Sequence, residues 1–206
     1  MIAFDLWGPW VWALGGLLSG SFVNVMIHRW PLMLASDDGL DPPLNLAVPR
    51  SHCPHCHTPL TVWQLIPVLS FVWLRGRCGH CRHPIAWRYP VVELLNMAWW
   101  LWCGIALPTW LPPLPHQGAW AGLPGMLSWG PSLAWSLWGS LVLALAWIDW
   151  DSTWLPDGLT QPLVWAGLVA AGLGWSGLSL SQAVAGAVLG YLSLWSVATV
   201  FQLVTA

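Results

Sequence analysis

Long apolar runs dominate this chain of 206 residues and decide what it can fold into. Hydrophobic residues make up 57% of the sequence and charged residues only 7%, against about 25% charged residues in a typical soluble domain. An apolar run of about 20 residues is long enough to cross a lipid bilayer as a helix. The sequence therefore predicts an all-α, polytopic membrane helical bundle with about five spans, at residues 10–27, 89–107, 131–148, 159–175 and 183–204.

A sixth apolar run, residues 62–74, is too short to cross a bilayer and contains Pro67. It also lies between two pairs of cysteines, and it could not cross the membrane if all four cysteines bound one ion. We expect this segment to be interfacial or re-entrant.

The cysteine pairs are Cys53-Pro-His-Cys56 and Cys78-Gly-His-Cys81. Two such CxxC knuckles can direct four thiolates at one tetrahedral zinc ion. The alternative is a pair of disulfides, which would need an oxidising compartment. The sequence favours a zinc site formed by Cys53, Cys56, Cys78 and Cys81.

The basic residues indicate on which side of the membrane this site lies. All six are arginines, and all lie between positions 29 and 88. The positive-inside rule places that stretch in the cytoplasm, where thiols stay reduced and are free to bind metal. We therefore expect a first span (1–28), a cytoplasmic zinc loop (29–88) and a membrane helical domain (89–206). The net charge of −2 gives no indication of a nucleic-acid partner.

Three acidic residues, Asp149, Asp151 and Asp157, lie close together between the third and fourth predicted spans. Acids at the end of an apolar span are costly to desolvate and are candidates for function, here as general acid or base. The alternatives are that Asp151 is simply solvated and that Asp157 caps the next helix. Glu93 lies just inside the second span, where it could serve a site or pair with Arg88.

These features together resemble the type IV prepilin leader peptidases, membrane aspartic peptidases that also methylate their product. The resemblance rests on five stretches in the family's order: residues 20–31, Arg50 with the two knuckles, residues 66–70, residues 88–95 and residues 148–160.

The resemblance implies a catalytic pair of aspartates from two membrane segments that share one proton. Asp149 is the first candidate, and Asp151 and Asp157 belong to the same motif. The family's second aspartate lies in a GxGD motif, which residues 1–206 do not contain. We therefore expect a truncated chain that does not cleave peptides alone.

The resemblance also implies methyl transfer from S-adenosylmethionine, with Glu93 orienting that cofactor or the new amine. Substrates would be prepilin or pseudopilin precursors of type IV pili and type II secretion. The location would be the bacterial inner membrane, with the cysteine loop and the aspartates on the cytoplasmic face. The alternative is a noncatalytic zinc-loop protein of pilus or secretion assembly. A lipid-linked phosphotransferase using Asp149 and Asp151 to hold a divalent metal is a further alternative.

Overall fold

The computed structural model of the protein describes residues 3–35, 44–106 and 129–205. These residues form a 3₁₀ turn, Val62–Leu65, and six α-helices: α1 (Ala3–Ala35), α2 (Leu69–Trp73), α3 (Arg88–Ile105), α4 (Gly130–Ser152), α5 (Asp157–Gly172) and α6 (Leu180–Thr205). Extended pairing in the described ranges is limited to two isolated bridges. The all-α prediction is confirmed.

The five long helices lie at the five predicted spans. Three of them contain stretches long and apolar enough to cross a membrane: Gly8–Ala35, Gly130–Ser152 and Leu180–Val204. The other two, α3 and α5, are shorter, at 18 and 16 residues. Helix α1 continues past the predicted span as far as Ala35, while Leu107, the last residue of the second predicted span, lies outside the described residues. The chain is a membrane protein by the length and composition of these helices.

The sixth apolar run, which the sequence predicts to be interfacial or re-entrant, does not form a continuous helix. The 3₁₀ turn and α2 are separated by Ile66, Pro67 and Val68. Val68 has a φ of 58°, which is unfavourable for a β-branched residue. Trp63 and Trp73 are 75% and 82% exposed, so the segment turns an apolar surface outwards.

Helices α1 and α3 pack antiparallel at very short range because α1 presents glycines to its neighbour. A Cβ added at Gly16 would lie 2.6 Å from the Cα of Met97, and one added at Gly20 would lie 2.9 Å from the Cα of Glu93. The Asn96 Nδ2 donates a hydrogen bond to the Gly16 carbonyl at 2.8 Å. Small residues allow this approach of two backbones.

Indole hydrogen bonds attach α3 to α4. Trp100 donates to Ser140 Oγ at 2.9 Å and Trp99 to the Trp135 carbonyl at 3.0 Å. Helix α5 packs on α4, and α6 packs on α5. Neighbouring helices in the chain run in opposite directions, so α1 and α4 end, and α3 and α5 begin, at the same end of the bundle. We call this the loop end.

The apolar core lies directly below the loop end, where α1, α3, α4 and α5 meet. Its buried members are Val23, Met26, Ile27, Val92, Ala144, Leu145, Ile148 and Leu159. The shared core thus holds the ends of α1, α3, α4 and α5 together, and these four ends supply the polar residues of the loop end.

We predict that Gly16→Ala lowers the free energy of unfolding by about 1–3 kcal/mol, because the new methyl group would meet backbone that cannot rotate away. Gly186→Ala in α6 is the matched control, since a Cβ there meets nothing within 4 Å. That change should be neutral or stabilising by up to about 1 kcal/mol. Denaturant unfolding in detergent micelles measures both. Equal stability of Gly16→Ala and the parent chain would contradict the packing described.

Candidate functional site at the loop end

Two tight turns between α1 and α3 carry the four predicted metal ligands. In the first, His57 N–H donates to the Cys53 carbonyl at 2.9 Å; in the second, Arg82 N–H donates to the Cys78 carbonyl at 3.1 Å. His57 and Arg82 both have positive φ, 56° and 60°, which closes each turn behind its second cysteine. Each turn thus directs the sulfurs of its two cysteines to the same side.

The four sulfurs converge in one cluster. All four Sγ atoms lie within 4.8 Å of one another, and Cys53 Sγ is 3.9 Å from Cys81 Sγ. With metal–sulfur bonds of 2.3 Å, a tetrahedral site has sulfur–sulfur edges of about 3.8 Å, so the cluster fits a metal ion. Hydrogen bonding with Thr58 lowers the pKa of the Cys56 thiol to about 6. Despite the backbone hydrogen bond at His83, burial and the three other cysteines raise the pKa of the Cys81 thiol to about 11. None of the five cysteines forms a disulfide in this structure, which favours the metal site over the disulfide alternative.

The two knuckles are copies of one unit, a regularity that the sequence reading missed. Cys, His, Cys and Pro recur in the same order in residues 53–59 and 78–84, at an offset of 25. An isolated bridge frames each copy, His52 with Pro59 and Arg77 with Pro84. The shared proline after each CxHC would have revealed the repeat.

A cavity of about 470 Å³ lies between the knuckles and the helix ends of the loop end. Helix α1 contributes Asn24 and His28, α3 contributes Arg88 and Glu93, and the knuckles contribute Cys53 and Cys78, among other residues. Its volume is within the range of small-molecule sites, about 300–1,000 Å³. Asn24 had no role in the sequence analysis, although an amide within an apolar run is a sign of function.

Glu93 is buried on the wall of this cavity, 8% exposed. Its Oε2 accepts a hydrogen bond from the Val68 N–H at 2.7 Å. The carboxylate thereby holds the unfavourable Val68 backbone and attaches the segment before α2 to α3. Pairing of Glu93 with Arg88, one of the sequence alternatives, is wrong.

Arg88 instead forms an ion pair with Asp151, with 2.6 Å between Nη1 and Oδ2. The pair joins the first residue of α3 to the end of α4. Because both side chains are partly exposed, we expect it to add little stability. The ion pair matters for the arrangement of the site, because Arg88 lines the cavity and its partner Asp151 belongs to the motif that contains Asp149. Asp151 is therefore paired rather than simply solvated.

The other two aspartates lie on the same end of the bundle. Asp149 is exposed in the last turn of α4, and its carbonyl accepts from the Thr153 N–H at 2.7 Å. Asp157 is also exposed and begins α5, one residue after the N-cap position, which Pro156 occupies. The sequence alternative that Asp157 caps this helix is therefore wrong. Its carboxylate lies in the first turn, where the helix dipole stabilises negative charge.

The fold and the site define a multi-pass helical membrane protein with a four-cysteine cluster that could hold a metal ion, placed over a cavity at the loop end. Comparison with known sequences specifies the family. Residues 14–107 match the family described as the bacterial peptidase A24 N-terminal domain, and residues 136–204 match the type IV leader peptidase family. No solved structure matches the chain significantly.

Among curated relatives, a prepilin leader peptidase/N-methyltransferase of Aeromonas hydrophila is 43% identical over 96% of this chain and 67% of its own length. Proteins of the same name from Burkholderia pseudomallei and Klebsiella pneumoniae are each 42% identical, over 91% and 97% of this chain. The matches cover 59% and 77% of those two relatives.

This chain belongs to the type IV leader peptidase family. The family predicted from the sequence is thereby confirmed, and the names of the relatives support leader-peptide cleavage and N-methylation as the class of activity. The chain spans between about six tenths and three quarters of the length of these relatives.

Proposed function

We propose that this protein acts in the removal of the leader peptide from type IV prepilin-like precursors and in N-methylation of the new N-terminal residue. The observation that carries the proposal is the Arg88–Asp151 ion pair. It joins the motif that contains Asp149 to the cavity beneath the four-cysteine cluster. Residues suited to peptide hydrolysis and residues suited to a small-molecule site thus share one end of the bundle.

Asp149 is the proposed catalytic aspartate of this motif. It is exposed at the loop end, whereas Asp151 is engaged by Arg88 and Asp157 lies in the first turn of α5. In an aspartic peptidase one carboxylate activates water while its protonated partner polarises the scissile carbonyl, and the two share one proton. By the family resemblance the partner would come from a GxGD motif, which residues 1–206 do not contain.

The cavity is the proposed site of methylation, with S-adenosylmethionine as the donor that the relatives' name implies. Its size suits such a molecule, and Glu93 is the acidic residue of its wall. The cofactor supplies the methyl group when bound. The residues of this chain would bind and orient the amine and keep water away from it.

Zinc is the proposed metal of the four-cysteine cluster, in a structural role. Four thiolates close the coordination sphere and leave no open position for water or substrate. The ion would hold the two knuckles together over the cavity. All five histidines near the knuckles are exposed, which supports a site made of sulfur alone.

We predict about one zinc ion per chain and its near-complete loss in Cys78→Ser, because the affinity of such sites depends on every thiolate. Cys103→Ser is the matched control: Cys103 is buried in α3 and is not part of the cluster, so zinc content should not change. Metal analysis of the purified proteins by mass spectrometry decides between these outcomes. Undiminished zinc in Cys78→Ser would refute the assignment.

The loop end is proposed to face the cytoplasm of the bacterial cell, from the inner membrane. All six arginines lie in residues 29–88, and cytoplasmic loops are enriched in basic residues. The same location would keep the four thiols reduced. Prepilin precursors are the proposed partners at this face.

Topology reporters fused after Thr61 and after Gly158 should therefore both lie in the cytoplasm. A reporter fused after Gly177 should lie on the opposite side of the membrane. The first two positions are at the loop end, and Gly177 lies between α5 and α6 at the other end. Paired alkaline phosphatase and green fluorescent protein fusions measure this. A reporter after Thr61 that is active outside the cytoplasm would contradict the proposed orientation.

For catalysis, we predict that Asp149→Asn lowers precursor cleavage by at least about 10³-fold, as loss of one member of a catalytic unit does. The assay uses this chain extended with a GxGD-containing segment of a relative, so that both carboxylates are present. Asp157→Asn is the control and should reduce cleavage far less. The measurement is the rate of leader removal by gel or mass spectrometry.

Normal cleavage by the extended Asp149→Asn variant would transfer the role to Asp151 or Asp157. An extended chain that binds a precursor but neither cleaves nor methylates it would favour the noncatalytic assembly function.

A further inference from the structure

Glu93 is a buried carboxylate without a cation. The N–H of Val68 donates to it, and the side chains of Ser21 and Asn24 interact with it. Among the described residues no arginine or histidine forms an ion pair with Glu93. Burying a charged carboxylate that lacks a counter-charge is costly, and a positive group from outside the chain would offset that cost.

The arginines that line the cavity are already engaged. Arg29 donates to the carbonyls of Asn45 and Pro49, at 2.9 Å and 2.6 Å. Arg88 is paired with Asp151. Neither can turn to Glu93 without giving up these contacts, so the charge of Glu93 remains uncompensated by the protein.

Asn24 supplies an unused acceptor on the same wall. Its side chain is 5% exposed, and its Nδ2 donates to the Tyr89 carbonyl at 3.0 Å. Because a carbonyl can only accept, the amide nitrogen must face Tyr89, and this fixes the oxygen on the other side. That oxygen, Oδ1, is buried and has no hydrogen-bond partner within the described ranges. A buried acceptor without a donor costs about 1–3 kcal/mol.

Glu93 lacks a counter-charge, and Asn24, which also lines the cavity, has an acceptor without a donor. A ligand that is both cationic and rich in N–H donors would satisfy both groups. A primary ammonium group is such a ligand, a compact charge with three donors. A divalent metal ion suits the wall less well, since Ca²⁺ takes six to eight oxygen ligands and Mg²⁺ six. Glu93 is the single carboxylate of the described lining.

We propose that Glu93 and Asn24 form a binding site for a primary ammonium group in the cavity under the cysteine cluster. The inference rests on the proposed function in one respect, the source of the ammonium. It is either the free α-amino group of a processed polypeptide or the amino-acid end of the methyl donor. The recognition chemistry is the same in both cases.

The test measures binding to the full 206-residue chain in detergent by isothermal titration, without turnover. One probe is a short apolar peptide with a free amino terminus, compared with the same peptide N-acetylated. The other is S-adenosylhomocysteine, an unreactive product of the donor. We expect Glu93→Gln to weaken at least one probe by at least about 30-fold, the effect of removing one partner of a buried charge pair. The probe affected identifies the source.

Glu93→Gln is chosen because its amide oxygen can still accept from Val68 N–H, and unchanged zinc content will show that the knuckles are intact. Asn24→Leu should weaken the same probe by a smaller factor, since it removes the second acceptor. Gln182→Leu, which removes an exposed amide at the other end of the bundle, should change affinity by less than about twofold.

The proposal is overturned if both probes bind Glu93→Gln as tightly as the parent chain, or if the acetylated peptide binds as well as the free amine while S-adenosylhomocysteine is unaffected. Binding that depends on Glu93 in a chain that neither cleaves nor methylates would support this site and refute the proposed function. The two ideas can therefore fail separately.

Discussion

The approach of α1 to α3 is the contact on which the rest of the loop end depends. Gly16 and Gly20 have no side chains, so the two backbones meet directly. This closeness lets the amide of Asn24 reach the Tyr89 carbonyl and brings Ser21 next to Glu93. The cysteine loop leaves from one of these helices and returns to the other, so its ends are held near each other before any metal binds.

The loop end combines two kinds of constraint. Below it, a buried apolar core joins four helices and leaves little freedom to the polar residues that extend from them. Above it, the segment between the two cysteine knuckles is attached to α3 by the hydrogen bond from Val68 to Glu93. The cavity lies between these two layers.

Much of the fold was predictable, because apolar length and the CxxC spacing each follow from a local rule. The five long helices and the convergence of the four sulfurs agree with the sequence. The failures concern partners distant in the chain. Pairing of Arg88 with Glu93, five residues away, was one of two alternatives, but Arg88 binds Asp151, 63 residues away. Nor does spacing reveal that Asn24 and Glu93 share a cavity wall, since only the antiparallel packing of α1 and α3 brings them together. The assignment of Asp149 as catalytic remains a prediction.

The duplicated knuckle divides its four sulfurs into two unlike pairs. The first cysteine of each copy, Cys53 and Cys78, is buried, and the second, Cys56 and Cys81, is partly exposed. An oxidant or a chelator from the solvent therefore reaches the outer pair, Cys56 and Cys81, first. The inner pair, Cys53 and Cys78, is buried next to the cavity. Damage of this kind would begin at the two outer sulfurs, Cys56 and Cys81, and would reach the cavity wall, which Cys53 and Cys78 line, last.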